Sequence, residues 1–208
     1  MSLYILGAGG LAKEVYGWLV AEQSPMLEEL RGFLVTDSNY SSIESYDGVP
    51  VKVLDSIAEE KGFEFLVCVG TSLPRKKVIE QALMHGGTPK SFVSNNALIG
   101  QNVVIGEGSI INPRCTISSD VKIGKYTIVN CSNGIGHDCV VGDYVTVLGN
   151  AAINGHVFIG DYVTIGSGAI LHPNIKVGDY ASVGIGSVVI RNVKPNTTVF
   201  GNPARKIS

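Results

Sequence analysis

The residues best suited to chemistry lie in the second half of the chain, in the run Ile135-Gly136-His137-Asp138-Cys139. Histidine ordinarily titrates near 6.5, close enough to neutrality to take up and return a proton within one reaction cycle. A carboxylate beside it, Asp138, can hold the imidazole in one orientation and raise its basicity. On spacing alone the pair reads as a solvated corner histidine ahead of a general base with its orienting acid. Eighteen residues on from Asp138 comes His156, eighteen before it Asp120, and eighteen on from His137 comes Gly155. Asn130 and Asn133 stand just ahead of the histidine. A second candidate set opens the chain, where Gly7-Ala8-Gly9-Gly10-Leu11 separates an apolar run from an amphipathic one. Backbone N–H groups at such a strand-to-helix turn can cradle a pyrophosphate, although a tight turn alone also asks for glycine. Asp37 closes the next apolar run, where a carboxylate can hold a ribose or base, and Gly70 closes a third on the same edge.

Two kinds of sequence must position these groups. Over residues 1–88 apolar runs alternate with helical patterns. Leu3–Leu6, Gly32–Val35, Val49–Leu54 and Phe63–Val69 read as strands. A helix carries Leu11, Val15, Trp18 and Leu19 on one face, another runs from Pro74 to Met84, and Asp55 is placed to cap a short turn before Ile57. This alternation predicts βαβ units on a parallel sheet, a small Rossmann-like α/β domain. Over residues 89–208 the period changes. Every sixth residue from Val93 through Ile135 and Ile153 to Val189 is isoleucine, valine or leucine, without a slip. The next residue is often glycine, and four residues after each aliphatic comes a small or β-branched one, such as Ser109, Cys115, Thr127, Cys139 and Ala151. A hexapeptide repeat of this kind predicts a parallel β-helix, each repeat one short strand and a corner, with glycine or asparagine permitting the corner's backbone. Asn133 then falls at an interior position, which requires internal hydrogen bonds for its amide.

Composition excludes several classes. The net charge is −2 and only 16% of residues are charged, so there is no nucleic-acid footprint. No apolar run approaches the roughly 20 residues of a membrane span, and the first residues lack the basic start of a signal peptide. The four cysteines, Cys68, Cys115, Cys131 and Cys139, show no CxxC spacing and read as reduced thiols of a cytoplasmic protein. Gly7-x-Gly9-x-x-Ala12 also fits a dinucleotide fingerprint, but about 88 residues hold one mononucleotide half of that fold rather than two.

The hexapeptides resemble those of the left-handed β-helix acyltransferases, in which three hexapeptides make an 18-residue coil. Together with Ile5-Leu6-Gly7-Ala8-Gly9-Gly10, Val67-Cys68-Val69-Gly70, the His137-Asp138 run and the closing Gly201-Asn202-Pro203-Ala204-Arg205-Lys206, they resemble the sialic acid O-acetyltransferase-like sugar acyltransferases. Within these the pattern is most similar to nucleotide-4-amino-sugar N-acetyltransferases of the bacillosamine and perosamine type. The resemblance implies acetyl transfer from acetyl-CoA, as co-substrate and without metal, to an amine of a nucleotide-linked sugar. An O-acetyltransferase of sialic acid or another glycan precursor is the alternative. It further implies His137 as base with Asp138, and Gly155 N–H facing the thioester carbonyl. Coenzyme A would lie along Thr146, Ser167, Ile185 and Arg205, and the sugar nucleotide along Gly9, Gly10, Leu11, Asp37, Gly70 and Asn130. Thr146 and Leu11 replace the histidines usual at those places. A homotrimer with active sites between subunits is expected, with His156 as a partner of Asp138.

Overall fold

The computed structural model describes residues 1–36, 44–58 and 62–208, and divides into two units, Met1–Ser91 and Phe92–Ser208. The division falls just past residue 88 because Gly87–Pro89 adds a strand to the first unit.

In that first unit β1 (Leu3–Leu6), β2 (Leu30–Val35), β4 (Val49–Val53), β5 (Phe63–Val67) and β6 (Gly87–Pro89) form a parallel sheet, and the short β3 (Ser45–Tyr46) pairs antiparallel with β4. The order is β3-β4-β2-β1-β5-β6. The chain therefore winds away from β1 in both directions, which opens a crevice at the carboxyl end of β1. α1 (Gly10–Ala21) buries Ala12, Val15 and Leu19, while α2 (Met26–Glu29) is a single turn and α3 (Ser72–Met84) buries Ile79 and Ala82. Gly7 has φ +115°, and a Cβ there would lie 2.9 Å from the Cys68 carbonyl oxygen, so only glycine lets β1 turn so close to β5. Asp55 does not cap: it lies within the 3-10 turn Leu54–Ile57, which begins after Val53 and has no side-chain cap. Asp37 lies outside the described residues.

The second unit is a left-handed parallel β-helix. Two-residue strands repeat every six residues and pair eighteen apart, for example Ile117↔Ile135 and Ile135↔Ile153, giving three parallel sheets around one interior. The aliphatics and the small residues four places on fill that interior, among them Ile117, Ile135, Cys139, Ala151 and Ile153. Asn133 is buried there with its amide fully used. Nδ2 donates to the Asn130 and Val147 carbonyls at 2.6 and 3.3 Å, and Oδ1 accepts from the Ala151 N–H at 2.7 Å.

The glycine that follows each aliphatic serves a different purpose from the one expected. It is the third residue after the aliphatic that adopts positive φ, as in Asp120, Tyr126, Asp138, Tyr144, His156 and Tyr162. The glycines are needed for space. A Cβ on Gly106 would meet the Gly124 backbone, and one on Gly124 or Gly142 would meet the Asp143 or Asp161 carboxylate of the next coil. That carboxylate accepts a backbone N–H from the coil before it. Lys125, Asp143 and Asp161 donate in turn to Asp143, Asp161 and Asp179 at 2.7, 2.8 and 3.0 Å. Beside them Tyr126, Tyr144, Tyr162 and Tyr180 stack with ring centroids 5.1, 4.9 and 4.7 Å apart.

Among the described residues no disulfide joins any of the four cysteines, and Cys68, Cys115 and Cys139 are buried. Burial pushes the Cys115 thiol up to about 11 and raises those of Cys68 and Cys139. The thiolate is the reacting form. At pH 7.5 a thiol reagent is therefore expected to modify Cys131 far ahead of the other three, and all four only after denaturation. Fast modification of several thiols in the native protein would contradict the burial. Among the described residues no helix is long and apolar enough to cross a membrane.

Candidate active site

His137 and Asp138 form the turn between the strands Gly134–Ile135 and Val140–Val141. Asp138 sits in the left-handed region at φ +59°, anchored by its N–H to the Ser119 carbonyl at 3.1 Å. One coil on, His156 has the same φ, and its N–H donates to the His137 carbonyl at 2.9 Å. The repeat thus places Asp138 and His156 at equivalent corner positions on successive levels. Asp120, at that position one coil earlier, accepts a hydrogen bond from Asn102 Nδ2 at 3.0 Å.

His137 Nδ1 is 2.8 Å from Asp138 Oδ2. An ionised carboxylate only accepts, so Nδ1 carries the hydrogen and Nε2 presents its lone pair. The ring lies face-on over Gly155: a Cβ built there would lie 2.7 Å from His137 Nε2 and 2.8 Å from Cε1. Among the described residues the Gly155 N–H has no hydrogen-bond acceptor. His156 Nε2 approaches the same Asp138 Oδ2 at 3.8 Å, too far for a hydrogen bond, and its ring meets that of His137 edge-on at 5.0 Å. All three side chains remain about half exposed. A groove of 480 Å³ opens here, floored by the small outward residues Thr116, Gly134 and Ala152 and flanked by His137, Gly155 and Pro173. The arrangement offers a proton acceptor, an unengaged N–H donor and an open channel within one corner.

The remaining candidates fall into separate groups. Gly9, Gly10, Leu11 and Gly70 line a 280 Å³ cavity at the carboxyl ends of β1, β2 and β5, together with Thr36 and Pro74. Thr146 is buried in the strand Thr146–Val147. Asn130 is half-buried, its Oδ1 accepting from Asn112 Nδ2 at 3.0 Å. Ser167 and Ile185 are exposed on consecutive coils, where the Gly186 N–H donates to the Ser167 carbonyl at 2.8 Å. Arg205 lies in the hairpin of Thr198–Gly201 with Ala204–Lys206 and lines a 330 Å³ cavity with Arg191, Lys194 and Lys206. None of Thr146, Asn130, Ser167, Ile185 and Arg205 lines the His137 groove. Arg191 and Lys194 escaped the sequence reading, yet the 18-residue count 137, 155, 173, 191 places Arg191 on the histidine's own corner.

Acyl transfer by a hexapeptide β-helix is the class this fold and corner define, and the comparisons agree. No family model and no curated protein matches the chain. Among solved structures, WeeI from Acinetobacter baumannii AYE is 33% identical, with TM-score 0.91 and all of both chains covered. PerB from Caulobacter crescentus, solved with CoA and GDP-perosamine, is 27% identical, with TM-score 0.88 over 100% of this chain and 98% of that one. The acetyltransferase domain of PglB from Neisseria gonorrhoeae FA1090 is 26% identical, with TM-score 0.86 and 99% of each chain covered. The chain belongs to the sugar N-acetyltransferase family of the bacillosamine and perosamine type.

Proposed function

We propose that the chain moves an acetyl group from acetyl-CoA to the 4-amino group of a nucleotide-linked 4-amino-4,6-dideoxy sugar. The single observation that carries this is the His137 corner, with its Nε2 lone pair and the unengaged Gly155 N–H on one groove. The amine nitrogen attacks the thioester carbonyl carbon while His137 Nε2 takes its proton. The developing oxyanion faces the Gly155 N–H. The C–S bond then breaks, and the coenzyme A thiolate leaves with the proton that His137 returns. Asp138 holds the ring so that Nε2 stays the acceptor and steadies the imidazolium between the two transfers. No metal takes part in these steps.

The cavity at β1 suits the nucleotide, with the first turn of α1 offering N–H groups to its phosphates. The basic cavity suits the phosphates of coenzyme A. Arg191 is three coils beyond His137, and at about 4.8 Å per coil that is roughly 14 Å, the reach of a pantetheine arm. Thr146, Ser167 and Ile185 lie away from the His137 groove, so a carrier touching them and His137 together requires a second prism. This supports a homotrimer with active sites between subunits, which light scattering tests: a monomeric mass would overturn it. The four thiols fit the cytoplasm.

Thiol release from acetyl-CoA against UDP-, dTDP- and GDP-linked 4-amino-6-deoxy sugars, with free sialic acid beside them, tests the reading. Turnover with an amino sugar is the expected result. Turnover with the hydroxyl acceptor alone would replace it with O-acetylation.

A further inference from the structure

The catalytic reading leaves His156 without a task. Its Nε2 lies 3.8 Å from the carboxylate oxygen that already accepts from His137, too far for a hydrogen bond. Three potential ligand atoms, His137 Nδ1, Asp138 Oδ2 and His156 Nε2, thus converge on one corner, all within 4.8 Å of one another. Zinc holds imidazole nitrogen and carboxylate oxygen at about 2.0–2.2 Å. At about 2.1 Å, the 2.8 and 3.8 Å separations from Oδ2 correspond to angles at the ion of roughly 84° and 130°, which straddle the tetrahedral value. Half-exposed side chains close that difference by small rotations, while the backbone beneath is fixed by the bonds from Asp138 N–H to Ser119 and from His156 N–H to His137. Two imidazoles with one carboxylate form the donor set of a borderline divalent transition ion such as Zn²⁺ or Co²⁺, rather than of Mg²⁺ or Ca²⁺.

We propose that this corner binds such an ion as an inhibitor, through His137 Nδ1, Asp138 Oδ2 and His156 Nε2. Inhibition follows from the position of the proton. A neutral imidazole carries one N–H. When Nδ1 gives its lone pair to the metal, the hydrogen resides on Nε2, the atom that must accept the amine's proton. The metal also takes Asp138 away from the ring it orients. The base is trapped in the wrong tautomer while the groove beside Gly155 stays open. This consequence, though not the binding itself, rests on the acetyltransfer reading above.

The test uses the chelator-treated full chain and Co²⁺ alone. Titration is expected to give visible absorption of a low-coordinate Co²⁺ site, displaced by Zn²⁺. His156→Asn and Asp138→Asn should each weaken Co²⁺ binding by about tenfold or more, with far-ultraviolet circular dichroism unchanged. No site-specific absorption, or absorption surviving in both variants, would overturn the site. In the transfer assay Zn²⁺ should lower kcat without changing KM for either substrate. Inhibition competitive with acetyl-CoA, or bound metal without inhibition, would overturn the tautomer trap. Failure of every acceptor to turn over would count against the acetyltransfer reading alone, because the Co²⁺ spectra need no acceptor.

Discussion

His137→Ala is expected to lower kcat by about 10²–10⁴-fold, the usual contribution of a positioned general base and about 3–5 kcal/mol of barrier. KM for acetyl-CoA should stay close to its original value. The loss should be confined to chemistry because of where the side chain sits. It points from a corner into the groove, its own bond is to Asp138, and it lies outside the aliphatic interior that holds the coils together. The melting temperature should therefore change little, which thermal unfolding followed by circular dichroism checks. A variant that keeps half its turnover would remove His137 from the mechanism.

Gly155→Ala should be nearly as damaging through one methyl group. The φ of Gly155 lies outside the left-handed region, so the backbone accepts alanine. The difficulty is the neighbour: the new Cβ would lie 2.7 Å from His137 Nε2 and 2.8 Å from Cε1. The imidazole must swing aside, which breaks its bond to Asp138 or turns Nε2 from the groove. A displacement of about 1 Å at reacting atoms costs on the order of a hundredfold. The expected result is a loss of about that size in kcat with nucleotide-sugar binding by calorimetry unchanged. Gly142→Ala is the control. Its Cβ would fall 2.8 Å from the Gly160 carbonyl carbon and against the Asp161 carboxylate, so it should lower the melting temperature instead. If both substitutions acted alike, the specific place of Gly155 over the base would be disproved.

Much of this was legible because burial in a β-helix obeys a strict count. Inward aliphatics recur every six residues and neighbours every eighteen, so the stacking of Gly155 over His137 and of His156 over Asp138 could be read by addition alone. The turn Gly7–Leu11 was equally plain, since a strand, glycines and a helix leave few other arrangements. What escaped depended on contacts the count does not contain. The role of Gly142 rests on the Asp161 carboxylate tucked against it from the next coil, and the left-handed corner falls to Tyr144 instead. Asp55 has a capping side chain, but the chain enters its turn two residues too early to use it. Arg191 and Lys194 carry no motif of their own, and only the closing hairpin sets them beside Arg205 and Lys206.

The aspartate corner also has a direction. Each carboxylate reaches back to the coil before it, so Asp143 secures Lys125, Asp161 secures Asp143 and Asp179 secures Asp161. A coil is therefore complete only when its successor has arrived. During synthesis at about 5–20 residues per second, each coil waits roughly one to four seconds for its latch. The nascent prism grows with one unfinished end, always the newest, and closes behind itself in the order in which the ribosome delivers it.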